Sequence, residues 1–435
     1  MDMKFIFLPM LKFLMRWLAE LTLARYEPGI VGITGSVGKT SIKAAVKAVL
    51  GSDRRVRASG KSFNNELGLP LTVLGDWEST EGLFFWPKVL IAGIAQLIVK
   101  NPFYPHIIVL EYGVDRPGDM DYLLRIARPQ IGIVSALGDI PVHVEFFTGP
   151  EAVRREKAKM VGVLPVTGFA ILNGDEPAAM EMKTETRAHP LTFGFSRGVE
   201  MRVSGLQNRL DKNFRGLSFK LSYGGESVPV KIEGVFGKSY AYAAAAACAA
   251  GLIYGMNLGR MAEALSAYKP VPGRLCLVPG IKETFLIDDT YNSSPAAAYE
   301  ALRVLGGLKA KRRVAVLGDM LELGKYTMEA HESVGKLIPK NADILITVGS
   351  RAKFIAERAV KSGFSKKKIM TFMDVGEAGL ELQRKMQKGD LILVKGSQSV
   401  RMEKVVKEVM LEPQKAGELL VRQSPVWFRK RGLYG

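Results

Sequence analysis

The 435-residue chain has only two cysteines, Cys248 and Cys276, both in apolar contexts and without CxxC or Cys/His clustering. That argues against a disulfide framework and a zinc site, and fits a reducing, cytoplasmic compartment. Acidic residues are also scarce, 43 Asp and Glu against 61 Lys and Arg, and the resulting charge of +18 points to polyanionic company. Nucleic acid, an anionic membrane surface and phosphorylated ligands all qualify by charge. No nucleic-acid-binding module is present, and aromatics are not interleaved with basic residues except in the C-terminal tail, so nucleic acid ranks last. Internal repeats and low-complexity tracts are absent. With 47% hydrophobic and 24% charged residues, the chain is too apolar to be disordered and too long for one ordinary core, which implies two or three domains.

Uninterrupted apolar runs of membrane length are missing too. Between Phe5 and Leu23 the charges Lys12, Arg16 and Glu20 recur every fourth residue, on one face of a helix whose remainder carries Phe13, Leu14, Trp17, Leu18 and Leu21. Three charges in a bilayer core are costly, and no small-residue cleavage site follows. Residues 1–25 therefore read as an amphipathic helix, lying at a membrane interface or packed on its own protein. A second apolar stretch, Leu83 to Val99, is broken by Pro87, Lys88 and Gln96 and is a poor span. The tail, residues 416–435, includes Trp427-Phe-Arg-Lys-Arg431, a mixture that suits an anionic lipid surface and is equally ordinary for a solvated terminus.

Beyond residue 26, short apolar runs alternate with amphipathic stretches, which predicts an α/β fold with a mainly parallel sheet. Strands are expected at 29–33, 107–110, 131–134, 284–287, 314–317, 344–348 and 391–394. From about Leu191 to Glu233 shorter alternating segments, such as Leu217-Ser-Phe-Lys-Leu-Ser-Tyr223, read as antiparallel strands of the same domain. The Pro- and Gly-bearing segment Tyr268 to Arg274 marks a boundary. The expected units are a central P-loop domain over 26–270 and a Rossmann-like domain over 271–415.

Gly35-Ser36-Val-Gly38-Lys39-Thr40 follows a strand and opens a helical pattern from Ser41, so backbone N–H groups and a helix N-terminus converge where a phosphate chain can sit. The full P-loop pattern asks for glycine where Ile33 stands, but the strand–loop–helix context supports nucleotide binding. Lys39 is placed to meet the β/γ-phosphates and Thr40 a Mg²⁺ ion. Glu111 ends an apolar strand and can hold a hard cation at the sheet's ligand edge. His143 and Lys157, taken alone, read as a loop histidine and a solvated helix charge. Asp288-Asp289-Thr-Tyr-Asn292, Gly318-Asp319-Met320 and Lys395-Gly-Ser397 end strands as a ligand crevice requires.

In their order, these motifs resemble the Mur ligase family, and most of all its D-alanyl-D-alanine-adding branch. The matching stretches include Ile33-Thr-Gly-Ser-Val-Gly-Lys-Thr40, Phe63-Asn64-Asn65-Glu-Leu-Gly68, Leu110-Glu-Tyr-Gly113, His143-Val-Glu with Lys157, Leu172-Asn-Gly-Asp175, Pro272-Gly-Arg274, Asp288-Asp-Thr-Tyr-Asn-Ser-Ser-Pro295, Leu317-Gly-Asp-Met-Leu-Glu-Leu-Gly324 with His331, and Lys395-Gly-Ser397 with Arg401. The resemblance implies an ATP-dependent ligase of cell-wall precursor assembly that activates a carboxylate as an acyl phosphate and couples it to an amine. It implies ATP held by Gly35, Ser36, Gly38, Lys39, Thr40, Ser41, Arg274, Asp289 and Asn292. Two Mg²⁺ ions would be held by Thr40, Glu111, His143 and Lys157, with Lys157 carbamylated and Lys39, Lys157 and His143 catalytic. The peptidoglycan precursor and a D-amino-acid dipeptide would meet Asn64, Asn65, Lys395, Ser397 and Arg401. A monomer in the cytoplasm, at the inner face of the plasma membrane if residues 1–25 and the tail touch lipid, completes the expectation.

Two departures accompany the resemblance. Adding ligases carry a uridine-diphosphate-binding domain before the P-loop, where this sequence shows only the amphipathic helix; a lipid-linked precursor, a domain supplied by another protein or a different acceptor would each accommodate that. Gly237-Lys-Ser-Tyr240 stands where the family has His-Asn, so Tyr240 is a candidate to stack on adenine. A polyglutamyl or folate-type acceptor is disfavoured by the Asp-Asp-Thr-Tyr-Asn and Gly-Asp-Met-Leu-Glu-Leu-Gly runs, and a non-catalytic membrane scaffold by the retention of Glu111, His143 and Lys157.

Overall fold

The computed structural model describes residues 3–60, 62–77, 84–430 and 432–434, with the backbone alone for 3–7. Two sheets organise it. The first has nine strands: β1 (Gly29–Thr34), β2 (Val56–Ala58), β3 (Ile107–Glu111), β4 (Ile131–Val134), β5 (Phe169–Asn173), β6 (His189–Gly194), β7 (Met201–Leu210), β8 (Arg215–Tyr223) and β9 (Glu226–Glu233). Their order is β2-β3-β1-β4-β5-β6-β7-β8-β9. Pairing is parallel from β2 to β7 and antiparallel across β7-β8-β9. Central strands β3 and β4 are buried along their whole length, on both faces, as a helix-covered sheet demands. The antiparallel strands alternate buried and exposed side chains because one face meets water.

The second sheet holds β10 (Cys276–Gly280), β11 (Thr284–Asp289), β12 (Arg312–Gly318), β13 (Ile344–Val348), β14 (Ile369–Phe372) and β15 (Asp390–Lys395), ordered β10-β11-β15-β12-β13-β14. Only β10 runs antiparallel to its neighbour. This is the mixed α/β architecture read from the sequence, and each expected strand lies within one of these. In both sheets the chain reverses its winding next to the strand that matters: β1 lies between β3 and β4, and β15 between β11 and β12. Open α/β sheets form their ligand crevice at such points, beyond the strands' carboxyl ends.

Four helices set the remainder of the stage: α1 (Met3–Tyr26), α2 (Lys39–Gly51), α3 (Gly68–Leu74) and α4 (Phe85–Ile98). Helix Lys238–Ile253 lies buried against α2, and its alanines, from Ala243 to Ala250, let the two backbones approach closely. The N-terminal helix is present, but its charges do not form its outer face. Leu11, Met15, Leu18, Ala19 and Thr22 are buried, Lys12 pairs with Glu66 at 2.6 Å and Arg16 with Glu20 at 3.4 Å on the flanks, and the outward stripe is apolar. No helix among the described residues is long and apolar enough to cross a membrane. Cys248 and Cys276 are free thiols.

Candidate active site

The P-loop joins β1 to α2. Gly35 takes φ +134°, and a Cβ there would collide with Ser135 Oγ, so glycine is required on both counts. Gly38, at φ +88°, turns the chain into α2. Ser36 and Val37 N–H groups bond Ala136 O at 2.9 and 3.1 Å, which anchors the loop to the segment after β4. The Ser36 hydroxyl is buried without a partner among the described residues, an orphaned donor in the loop where a phosphate would fit. Lys39 Nζ folds back over the loop to Gly35 O at 2.8 Å. Burial lowers its pKa, and the nearby Glu111 charge opposes that shift.

Thr40 is the meeting point. Its Oγ1 lies 3.2 and 3.3 Å from the two Glu111 carboxylate oxygens, 3.4 Å from Ser62 Oγ and 3.0 Å from Arg274 Nη2. Burial alone would raise the Glu111 carboxyl, but Lys43, Lys39 and Arg274 outweigh it and hold the group below the ordinary carboxylate value. A hydroxyl and an ionised carboxylate are hard oxygen donors of the kind that Mg²⁺ takes alongside nucleotide phosphates. Lys43, 3.4 Å from Glu111 and fully buried on α2, escaped the sequence reading because a lysine one turn into a helix carries no motif.

Across from the P-loop stand the carboxyl ends of β11 and β15. Ser36, Val37, Gly38 and Ser41 form one wall of a narrow cleft of about 70 Å³, and Arg274, Asp289, Tyr291, Asn292 and Lys395 form the other. Residues more than two hundred positions apart thus surround one crevice between the two sheets. Two contacts close it: Arg274 reaches Thr40 while stacking on Tyr291 with its guanidinium 4.2 Å from the ring centre, and Tyr291 Oη donates to Ser62 Oγ at 2.6 Å.

The Mur ligase middle domain matches residues 94–251, and the Mur ligase glutamate ligase domain residues 273–398. The UDP-N-acetylmuramoyl-tripeptide–D-alanyl-D-alanine ligase of Bacillus subtilis (strain 168) is 31% identical over 403 residues, covering 91% of this chain and 79% of its own. The chain belongs to the Mur ligase family. The enzyme of the same name from Escherichia coli (strain K12) is 27% identical, over 87% of this chain and 76% of its own. Among solved structures, MurF ligase from Thermotoga maritima in complex with ADP superposes with a TM-score of 0.76 at 25% identity, covering 93% of this chain and 84% of that one. MurF from Acinetobacter baumannii gives 0.74 at 22% identity, covering 91% and 79%, a likeness of fold. This Mur ligase is an ATP-dependent peptide ligase.

The structure places the remaining expected residues of this Mur ligase unevenly. Lys157, on helix α5 (Pro150–Gly162), is buried and makes no hydrogen bond among the described residues; burial, with Lys39 adding repulsion, pushes its amine down to about 7. His143, in the left-handed region at φ 68°, lies 3.2 Å from Asp115 and 2.9 Å from Glu322 of the second sheet's domain. No group of three or more His, Cys, Asp or Glu converges on one point among the described residues. Asn64 packs against Gly113, two residues beyond Glu111, while Asn65 Oδ1 accepts Leu67 and Gly68 N–H groups at the start of α3.

Lys395, expected at the amino component, donates to Asp289 at 2.6 Å and to Asn292 O at 2.9 Å in the cleft. Ser397 Oγ accepts from Leu321 N–H at 2.9 Å. Arg401 turns away to Glu403 and to the carbonyls of Trp427 and Lys430 in the tail. Tyr240 does not reach the cleft: it is buried, donating to Arg274 O at 2.6 Å. Ser239 and Glu300 line the cleft in its place. His331 braces the Gly-Asp-Met turn, its Nε2 accepting Met320 N–H at 3.0 Å.

Tyr291 lies within the Asp-Asp-Thr-Tyr-Asn motif, and the fold makes its hydroxyl one of the contacts that join the two domains across the cleft. Tyr291→Phe should lower kcat/KM by about three- to tenfold, the worth of one hydrogen bond. Ser62→Ala should do the same, and steady-state kinetics of the double variant should show no further loss. Additive losses would mean the two residues act separately.

Proposed function

We propose that this Mur ligase joins D-alanyl-D-alanine to the carboxylate of a peptidoglycan precursor peptide, as the names of its relatives say of them. The observation that carries the reading is the closed cleft in which a P-loop faces Asp289, Asn292 and Lys395, with Arg274 of the cleft bonded to Thr40 of the Thr40–Glu111 pair. ATP supplies the γ-phosphoryl group that turns the acceptor carboxylate into an acyl phosphate; the amine then attacks the acyl carbon, loses a proton and displaces phosphate.

The chain's residues serve that reaction by charge and position. Ser36, Gly38, Lys39 and Ser41 receive the phosphate chain, Lys39 with its cation and the loop with its N–H groups. Thr40 and Glu111 hold one Mg²⁺. His143 and Lys157 are assigned to a second, Lys157 as its carbamate. An amine titrating near 7 supports that assignment, because only the neutral form adds to CO₂. Arg274 and Asn292 enclose the nucleotide from the second domain, and domain closure completes the site. Lys395 belongs with the nucleotide side, through Asp289, and Asn64 with the acceptor side, beside Glu111. The domain limits we assign are 26–270 and 271–415. The enzyme acts as a monomer in the cytoplasm, at the inner face of the plasma membrane, with residues 1–25 and the tail toward lipid. In the tail, Trp427 is engaged by Arg401 and Lys430, while Phe428 is exposed.

Phosphate release measured with ATP, a carboxylate acceptor and D-alanyl-D-alanine tests the reading. Turnover should require all three, and comparing nucleotide-linked with lipid-linked peptide acceptors identifies the carrier. Phosphate release that ignores the dipeptide, or turnover only on polyglutamyl acceptors, would refute the assignment.

A further inference from the structure

Helices on a protein surface turn a polar face to water; α1 and α4 do not. Within Phe85–Ile98, Lys88 is the only charged residue and Gln96 the only other polar one. Gln96 points inward, donating to Leu74 O at 2.8 Å. The two helices lie side by side and run in the same direction. Leu11 and Phe85 share an apolar cluster near their starts, a Cβ on Gly93 would touch Leu18 Cδ1 at 3.3 Å, and Tyr26 Oη donates to Gln96 O at 3.0 Å near their ends. Both bury one stripe against α3 and its surroundings. On the opposite stripe α1 presents Phe13, Trp17 and Leu21, and α4 presents Ile91, Ile94 and Ile98, with exposures of 57% at Phe13, 67% at Ile91 and 73% at Ile98. In each helix these residues recur every three or four positions, so they form two adjacent stripes facing the same way.

Charge identifies the occupant. Along α1 from Leu8 and along α4 as far as Lys100 there are five basic side chains and one acidic. Glu20 is met by Arg16, and Lys12 meets Glu66; Arg25, Lys88 and Lys100 have no carboxylate partner among the described residues. A second copy of the chain would press this basic rim against itself, a repulsive arrangement. An apolar stripe with tryptophan, rimmed by cations, matches the boundary between acyl chains and anionic headgroups. We propose that α1 and α4 form one interfacial face that seats the enzyme on an anionic bilayer, both helices lying in the membrane plane. This rests on the membrane-face location proposed above and gives it a surface, in which α4 lies beside α1. The face is one layer from the chemistry: Phe63 and Leu67 pack into the same cluster, and Asn64 between them meets Gly113 beside Glu111.

Co-sedimentation of the full chain with phosphatidylcholine vesicles, with and without phosphatidylglycerol, tests the proposal. The chain should bind the anionic vesicles, less so at high salt. Ile91→Gln/Ile98→Gln and Phe13→Ser/Trp17→Ser should each weaken binding by about tenfold or more. Because these side chains face solvent, thermal unfolding and ligation in vesicle-free solution should be unchanged, which separates lost docking from lost folding. The proposal is overturned if the α4 variant binds like the wild type, or if the wild type binds neither vesicle. It is also overturned if the Ile91→Gln/Ile98→Gln change dissociates a dimer that has no vesicle affinity, because a second copy then covers the face. Vesicle binding by a chain inactive in ligation would uphold this inference and remove the reading of the active site.

Discussion

Replacing Lys39 by alanine is expected to lower ATP-dependent ligation by at least about a thousandfold without unfolding the protein. The ammonium group already lies over the loop that would take the phosphates, 2.8 Å from Gly35 O. Removing it leaves the loop's N–H groups and Arg274 to meet the charge that builds on the phosphoryl oxygens. Burial lowers the Lys39 pKa, so the charged side chain costs the fold stability, and its removal should not lower the thermal midpoint. Phosphate release under saturating substrates gives kcat, and calorimetry with ADP separates binding from chemistry. A kcat within tenfold of wild type would show that Lys39 does not face the transferred phosphoryl group.

Lys157→Met should abolish ligation to a comparable extent while making the protein more stable. Burial, with repulsion from Lys39, lowers the amine from its ordinary 10.5 to about 7, against the pull of Asp115 and Glu156. Because the folded-state value lies below the unfolded one, the unfolded chain binds the proton more readily. The cost of the buried lysine is therefore complete below pH 7, shrinks as pH rises from 7 to 10.5 and vanishes above that. Methionine matches the lysine in length and carries no charge. Denaturant titration in bicarbonate-free buffer should give the variant an advantage of roughly 2–4 kcal/mol at pH 6, and a smaller one at pH 9. For the wild type, activity should increase with added bicarbonate and with pH through 7, as the neutral amine becomes available. Equal stabilities at both pH values, or bicarbonate-independent activity, would contradict this account of Lys157.

How far the sequence is legible differs between the phosphate side of the site and the amino-component side. The P-loop could be read because its chemistry is local: Gly35 and Gly38 occupy backbone conformations that glycine favours, and the lysine and threonine follow at fixed positions on one helix start. Glu111 could be read for a similar reason, since the last residue of a buried parallel strand faces the ligand edge. Arg401 and Tyr240 could not. Arg401 is drawn off by Glu403 and the tail carbonyls, and Tyr240 is buried under Arg274 by the packing of helix Lys238–Ile253. Lys43 and Ser62 gain their roles only because folding brings them to Glu111 and Tyr291.

The N-terminal helix shows the same division on its surface. Periodicity identifies which residues of α1 share a stripe, because 3.6 residues per turn is a property of the chain alone. It cannot tell which stripe meets protein, because that depends on the shape of what packs beside it. The sequence by itself determined the α/β class, the strands at the centre of each sheet, the strand–loop–helix turn of the P-loop and the family. The tertiary structure alone decided that Lys395 lines the cleft through Asp289, that Tyr291 reaches Ser62 across it, and that α4 lies beside α1 with both apolar stripes outward. The physical reason is that backbone conformation and side-chain periodicity are set within a few residues, whereas which face is buried, and which of several possible partners a side chain takes, depend on what the rest of the fold packs beside it.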